Sequence, residues 1–82
     1  MKTKNEIPKK RIAVVEISEN EELVFSLAEP SHGLFIDVRK YVYLEEEKKK
    51  VPTKQGWFIP AEKATEVREA AVALEEAVAR AS

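Results

Sequence analysis

The sequence predicts an α+β domain, a four-stranded antiparallel sheet followed by one C-terminal helix, and three observations carry that prediction. Four apolar segments between residues 11 and 60 lack a helical period, turn-forming clusters separate them, and from Pro60 onward the composition switches to alanine at helical spacing. At 82 residues the chain is one domain, because two halves would each be too short to bury a core.

RIAVVEIS, residues 11–18, is rich in β-branched side chains and reads as the first strand. SENEE (18–22) has no apolar residue and reads as a turn. LVFSLA (23–28) then sets Leu23, Phe25 and Leu27 on one face at period two, which completes a hairpin. EPSHG (29–33), with Pro30 and Gly33, is a second turn. The longest strand candidate follows, LFIDVRKYVYL (34–44). Its even positions, Leu34, Ile36, Val38, Lys40, Val42 and Leu44, are nearly all aliphatic and predict a core face. Its odd positions are Phe35, Asp37, Arg39, Tyr41 and Tyr43, so the opposite face, expected to meet solvent, carries three aromatics and an arginine.

EEEKKKVPTK (45–54) reads as a charged connection, and QGWFIP (55–60) as a short fourth strand with Trp57 and Ile59 on one side and Phe58 on the other. Eight of the ten alanines lie in 61–82, where Ala64, Val67, Ala71, Leu74, Val78 and Ala81 recur at steps of three and four residues. That spacing is one stripe of an amphipathic helix, with the charged residues mainly on the rest of its surface. One such helix is expected to cover only part of the sheet's apolar face. A domain of this size buries about 60 to 65 % of the unfolded chain's surface and is marginal unless stapled. Without cysteine, self-association is the remaining staple, and the expectation is a homodimer with Val67, Ala71, Leu74 and Val78 at its interface.

Composition removes several kinds of chemistry. Cysteine is absent, so disulfides, thiolate zinc sites and a cysteine nucleophile are excluded. His32 is the sole histidine and Asp37 the sole aspartate, which leaves no triad and no transition-metal set. His32 lies in a predicted turn with no orienting carboxylate in the pattern, so it reads as a surface residue. Gly33 and Gly56, the only glycines, cannot form a phosphate loop. The expectation is a protein that is not an enzyme and takes no cofactor or metal. The start, MKTKNEIPKKR, is basic without a following apolar stretch, and no run approaches the ~18 apolar residues of a membrane span. The chain therefore reads as soluble and unsecreted, placed in the cytoplasm at the nucleoid or in a nucleus.

The formal net charge is −1, but the charges are segregated. Residues 1–11 carry a net +4, residues 16–29 a net −5 without a base, and residues 39–54 a net +3. Two basic segments flank an acidic one. Residues 1–10 read as a flexible basic arm ahead of a ββββα domain spanning 11–82. Single-stranded nucleic acid is held by aromatic stacking together with cations that follow the phosphates. Phe35, Arg39, Tyr41 and Tyr43 with nearby lysines supply both elements. The same aromatics on an outward strand face would also suit a dimer interface or a second packing layer, and the pattern alone leaves these readings open.

Ile36-Asp37-Val38-Arg39-Lys40-Tyr41, then Lys54-Gln55-Gly56-Trp57-Phe58-Ile59 after a charged hairpin, then a helix opening Pro60-Ala61-Glu62 and reaching Glu75-Glu76-Ala77-Val78, resembles the C-terminal domain of the positive cofactor four family of transcriptional coactivators. The resemblance covers about residues 34–78 and is only compatible in pattern before that. It implies a homodimer of curved four-stranded sheets that binds single-stranded DNA, with the helices packed at the interface. Arg39 falls on the family's DNA-contacting arginine, and Lys48, Lys49, Lys50 and Lys54 on the basic hairpin. The family's strand tryptophan is Val42 here, so stacking falls to Tyr41 or Tyr43. The aromatic and basic loop between the second and third strands is replaced by Glu29-Pro30-Ser31-His32-Gly33, so the expectation is either a lower affinity or a substitution by Lys9, Lys10 and Arg11.

The expected function is sequence-independent binding of single-stranded DNA or RNA by a homodimer, in transcription as a coactivator or regulator, or in replication or recombination, alongside that machinery and not at a membrane. Two rivals stand beside it. A Pur-alpha-like nucleic-acid-binding domain also reads as four strands and a helix, and a protein-interaction dimerisation module would use the aromatic face for a partner subunit.

Overall fold

A computed structural model describes residues 9–29 and 33–82; the expected arm ahead of Lys9 and the turn residues Pro30, Ser31 and His32 lie outside the described residues. The elements are β1 (Lys9–Ser18), β2 (Glu21–Ala28), β3 (Phe35–Leu44), β4 (Lys49–Pro60), a 3-10 turn (Ala61–Lys63) and helix α1 (Ala64–Ala81). The strands form one open antiparallel sheet in the order β1-β2-β3-β4, which is the predicted α+β layout.

All four strands begin elsewhere than the sequence expectation; β2 starts at Glu21, within the expected turn, β3 at Phe35, and the other two shifts matter most. β1 begins at Lys9, so Lys9 and Lys10 are ladder residues paired with Ala28 and Leu27 and do not belong to the arm. β4 begins at Lys49, which turns most of the charged connection into strand. The reversal takes only Glu45 to Lys48: the Lys48 amide donates to the Leu44 carbonyl at 2.8 Å, and Lys48 adopts a positive φ of 58°. Lys49 then lies opposite Leu44. A ladder end bearing charges on both sides lacks the apolar alternation by which strands are read. Pro52 is tolerated because β4 is an edge strand.

Bulges decide which face each side chain joins. In β1, Arg11 pairs with Ser26 and Ala13 with Phe25, leaving Ile12 as an extra residue. Lys9 and Arg11 are thereby turned onto the same face as Val14 and Glu16, although their odd numbering would place them on the other. In β4, Arg39 pairs with Gly56 and Tyr41 with Pro52, so three residues, Thr53 to Gln55, face one on β3.

The packing corrects the expected core. The most deeply buried residues are Val24, Ser26, Ala28 and Asp37, all on the face that carries Phe35, Arg39 and Tyr41. There, long side chains from all four strands lie over small ones on β2. The aliphatic face, with Leu23, Phe25, Leu27, Ile36, Val38 and Val42, is only half-buried, and Leu44 and Trp57 on it are exposed. Helix α1 does not fold back over that face. It has no buried residue, and its extensive contacts end with the 3-10 turn that precedes it. Leu74 and Val78 are 67 % and 63 % exposed. An alanine-rich stripe with Val67, Leu74 and Val78 as its only large members has little apolar area to bury against its own sheet. Glu66 in the first turn and Arg80 in the last complement the helix dipole. Among the described residues, no helix is long and apolar enough to cross a membrane.

Candidate nucleic-acid interface

The candidate site is the polar face of the sheet. Register places Lys9, Arg11, Val14 and Glu16 of β1 beside Glu22, Val24, Ser26 and Ala28 of β2. Phe35, Asp37, Arg39 and Tyr41 of β3 continue the same face, followed by Pro52, Gly56 and Phe58 of β4 and by the Tyr43–Lys50 pair. Cross-strand partners in an antiparallel ladder share a face, which is why residues distant in sequence converge here.

Asp37 organises one half. It is 1 % exposed and holds two cations: Lys9 Nζ lies 3.0 Å from Oδ2, and Arg39 donates from Nη2 to Oδ1 at 2.9 Å and from Nε to Oδ2 at 3.4 Å. Burial pushes the Asp37 carboxyl pKa up, but the hydrogen bonds and charges of Arg39 and Lys9 outweigh it and leave the group below its ordinary value. Arg39 is held further by the β4 bulge, where its Nη1 donates to the Thr53 carbonyl at 3.0 Å. Thr53 keeps the bulge in shape, its hydroxyl donating to the Lys40 carbonyl at 2.8 Å and accepting from the Gln55 amide at 3.1 Å. Gly56 makes room for the guanidinium, since a Cβ there would sit 2.8 Å from Arg39 Cζ and 2.9 Å from the Val38 carbonyl oxygen. The segment Thr53 to Gly56, which spans the expected boundary between charged connection and fourth strand, is therefore the seat of Arg39.

Glu22 organises the other half. Lys50 Nζ lies 3.4 Å from its Oε1 and Arg11 Nη1 lies 4.0 Å from its Oε2. Arg11 also sits over the Tyr41 ring, 5.3 Å from the centroid. At the far end Phe35 and Phe58 pack with centroids 5.8 Å apart. The face thus carries two aromatic patches, Phe35 with Phe58 and Tyr41 with Tyr43, and four cations.

Of the residues singled out from sequence, Lys9, Arg11, Phe35, Arg39, Tyr41, Tyr43 and Lys50 come together here. Lys10 and Lys49 pair with Leu27 and Leu44 and point to the aliphatic face, Lys54 lines a groove there with Ile17, Leu23, Lys40 and Trp57, and Lys48 sits in the turn. Arg39 was expected to face solvent freely; its side chain is 18 % exposed, with three donated hydrogen bonds. Sequence reasoning missed Glu22, hidden in a segment read as turn, and the joint role of Thr53 and Gly56. It also missed Phe58 as a site residue, although the alternation with Trp57 and Ile59 had set Phe58 on the other side of its strand. Among the described residues, no cluster of potential metal ligands occurs. Comparison with known proteins gives no match: no family model, no curated protein and no solved structure matches this chain.

Proposed function

We propose that the chain is a homodimeric single-stranded DNA- or RNA-binding protein of the positive cofactor four type, using the polar sheet face as its platform and acting in transcription, replication or recombination without catalysing a reaction. The observation that carries this reading is the convergence of Lys9, Arg11, Arg39 and Lys50 with Phe35, Tyr41, Tyr43 and Phe58 on one face. Stacking on such rings contributes about 1–3 kcal/mol per base and is indifferent to base identity, while the cations answer the phosphates. Self-association is supported by two apolar surfaces that no other element among the described residues covers, the helix stripe of Val67, Ala71, Leu74 and Val78 and the aliphatic sheet face. A second copy brings the same two surfaces, so each chain's helix finds a sheet or a helix to cover it. Each large aliphatic side chain fully buried this way contributes about 1.5–3 kcal/mol.

A protein-interaction dimer without nucleic acid is the second reading. It is favoured by the pairing of the platform's cations, since all four lie within 4.0 Å of Asp37 or Glu22. A fluorescence-anisotropy titration with labelled single-stranded and duplex oligonucleotides at low salt separates the two. Tighter binding of the single strand, with an affinity that falls as salt rises, is the expected result. Equal affinity for both forms, or none for either, favours the interaction module.

A further inference from the structure

The two carboxylates of the platform are held in different ways, and the inference drawn from this rests on the reading of that face as a single-strand platform. Asp37 is sealed beneath Arg39 and Lys9 by contacts of 2.9 and 3.0 Å. Glu22 is 13 % exposed and its contacts, 3.4 Å to Lys50 and 4.0 Å to Arg11, are longer than the 2.7–2.9 Å of strong charge-assisted bonds. The cations it holds come from β1 and β4, the two edge strands, and Glu22 stands between them on β2 opposite Tyr41. Its neighbour on β1 is Glu16, a like charge that gives it no support.

A two-oxygen anion between a guanidinium and an ammonium, beside an aromatic ring, is the arrangement that a phosphodiester and its base would make on this surface. We infer that Arg11, Lys50 and Tyr41 form a phosphate-and-base subsite whose anion position is filled in the free protein by the protein's own Glu22 carboxylate. Glu22 is then a built-in competitor. A strand must displace it to engage Arg11 and Lys50, so Glu22 lowers affinity for every strand and keeps the face from holding anions indiscriminately. Long, partly exposed ion pairs contribute little stability, whereas a strand that takes up the two cations releases its own counterions, so the exchange is open to nucleic acid.

The experiment compares Glu22→Gln with Glu21→Gln in anisotropy titrations of a labelled oligothymidylate across a salt series. Both variants remove one negative charge, but Glu21 lies on the opposite face, paired with Lys40 at 2.8 Å. Glu22→Gln is expected to tighten binding about tenfold and to steepen the salt slope by roughly 0.7 for each cation it frees, with Glu21→Gln changing affinity less than about threefold. In the Glu22→Gln background, Arg11→Ala and Lys50→Ala should each remove much of the gain. If wild type binds the strand and the two glutamine variants behave alike, the competitor role is overturned while the platform stands. If neither wild type nor Glu22→Gln binds at low salt, the platform falls and the subsite with it.

Discussion

The two faces of the sheet solve the same packing problem in opposite ways. On the polar face, long side chains from all four strands reach over the small residues of β2, and the charges they carry find one another: Lys9 and Arg39 close on Asp37, and Arg11 and Lys50 on Glu22. No buried polar side-chain atom among the described residues is left without a partner. The aliphatic face has long side chains too, Lys40 paired with Glu21 among them, but they leave it only half-buried. Val, Ile and Leu side chains are too short to cover each other across a 4.7–4.9 Å strand spacing, so that face needs a second layer, which the chain's own helix does not supply. One face is complete within a single chain and the other is not.

The sharpest test of that contrast is Arg39→Ala. It leaves the Asp37 carboxylate, 1 % exposed, with Lys9 as its only cation among the described residues, and by analogy with buried pairs that lose a partner it should cost about 3 kcal/mol in urea denaturation. An unchanged midpoint would show that the polar face is not what holds the chain together. The same variant also tests the site, because a stability loss accompanied by intact oligonucleotide binding would assign Arg39 to shaping the platform and remove it from direct contact.

The incomplete face is tested by Leu74→Ala and Val78→Ala. In an isolated chain these side chains, 67 % and 63 % exposed, would change little. In a dimer that buries them each should cost about 1.5–3 kcal/mol per copy, seen as a melting temperature that depends on protein concentration and a lower mass in sedimentation equilibrium. A wild-type mass near 9.3 kDa at micromolar concentration would break the proposal of self-association.

Tyr41→Ala asks whether the complete face is also the working one. Loss of its ring should weaken single-strand binding by roughly 1–3 kcal/mol with a smaller effect on folding, since the ring is only half-buried. Wild-type affinity in this variant would move attention to Phe35 and Phe58. The smallest effect expected is the response to acid. The Asp37 pKa is lowered in the folded chain, so its contribution is present above the ordinary aspartate value near 3.9 and is lost as pH falls through the lowered one. Because burial opposes the same hydrogen bonds, the loss should be gradual, and in Arg39→Ala, where burial is opposed by Lys9 with no help from Arg39, it should shrink, vanish or reverse. A wild-type stability that does not decline as pH falls below about 4 would contradict the sign.

Much of this architecture was legible because local pattern and global fold agree in it. Period two in Leu23, Phe25 and Leu27 and along residues 34–44, and the alanine stripe after Pro60, each specify an element from a few adjacent side chains, and all four strands and the helix occur. The gathering of Phe35, Arg39, Tyr41 and Tyr43 on one face follows from the same alternation within a single strand.

What only the tertiary structure decided are the relations between strands. The bulge at Ile12 turns Lys9 and Arg11 onto the polar face, the bulge at Thr53 to Gln55 seats Arg39 against Gly56, and the register brings Glu22 next to Tyr41. The sequence contains all of these residues but not their pairing, because one inserted residue reverses the side on which every earlier side chain falls and nothing in the local pattern marks it. The position of the helix was hidden for a related reason. Its amphipathic spacing determines that it has an apolar stripe to bury, whereas what the stripe is buried against depends on free energy summed over distant surfaces, and in a chain of 82 residues its own sheet is only one of the partners available.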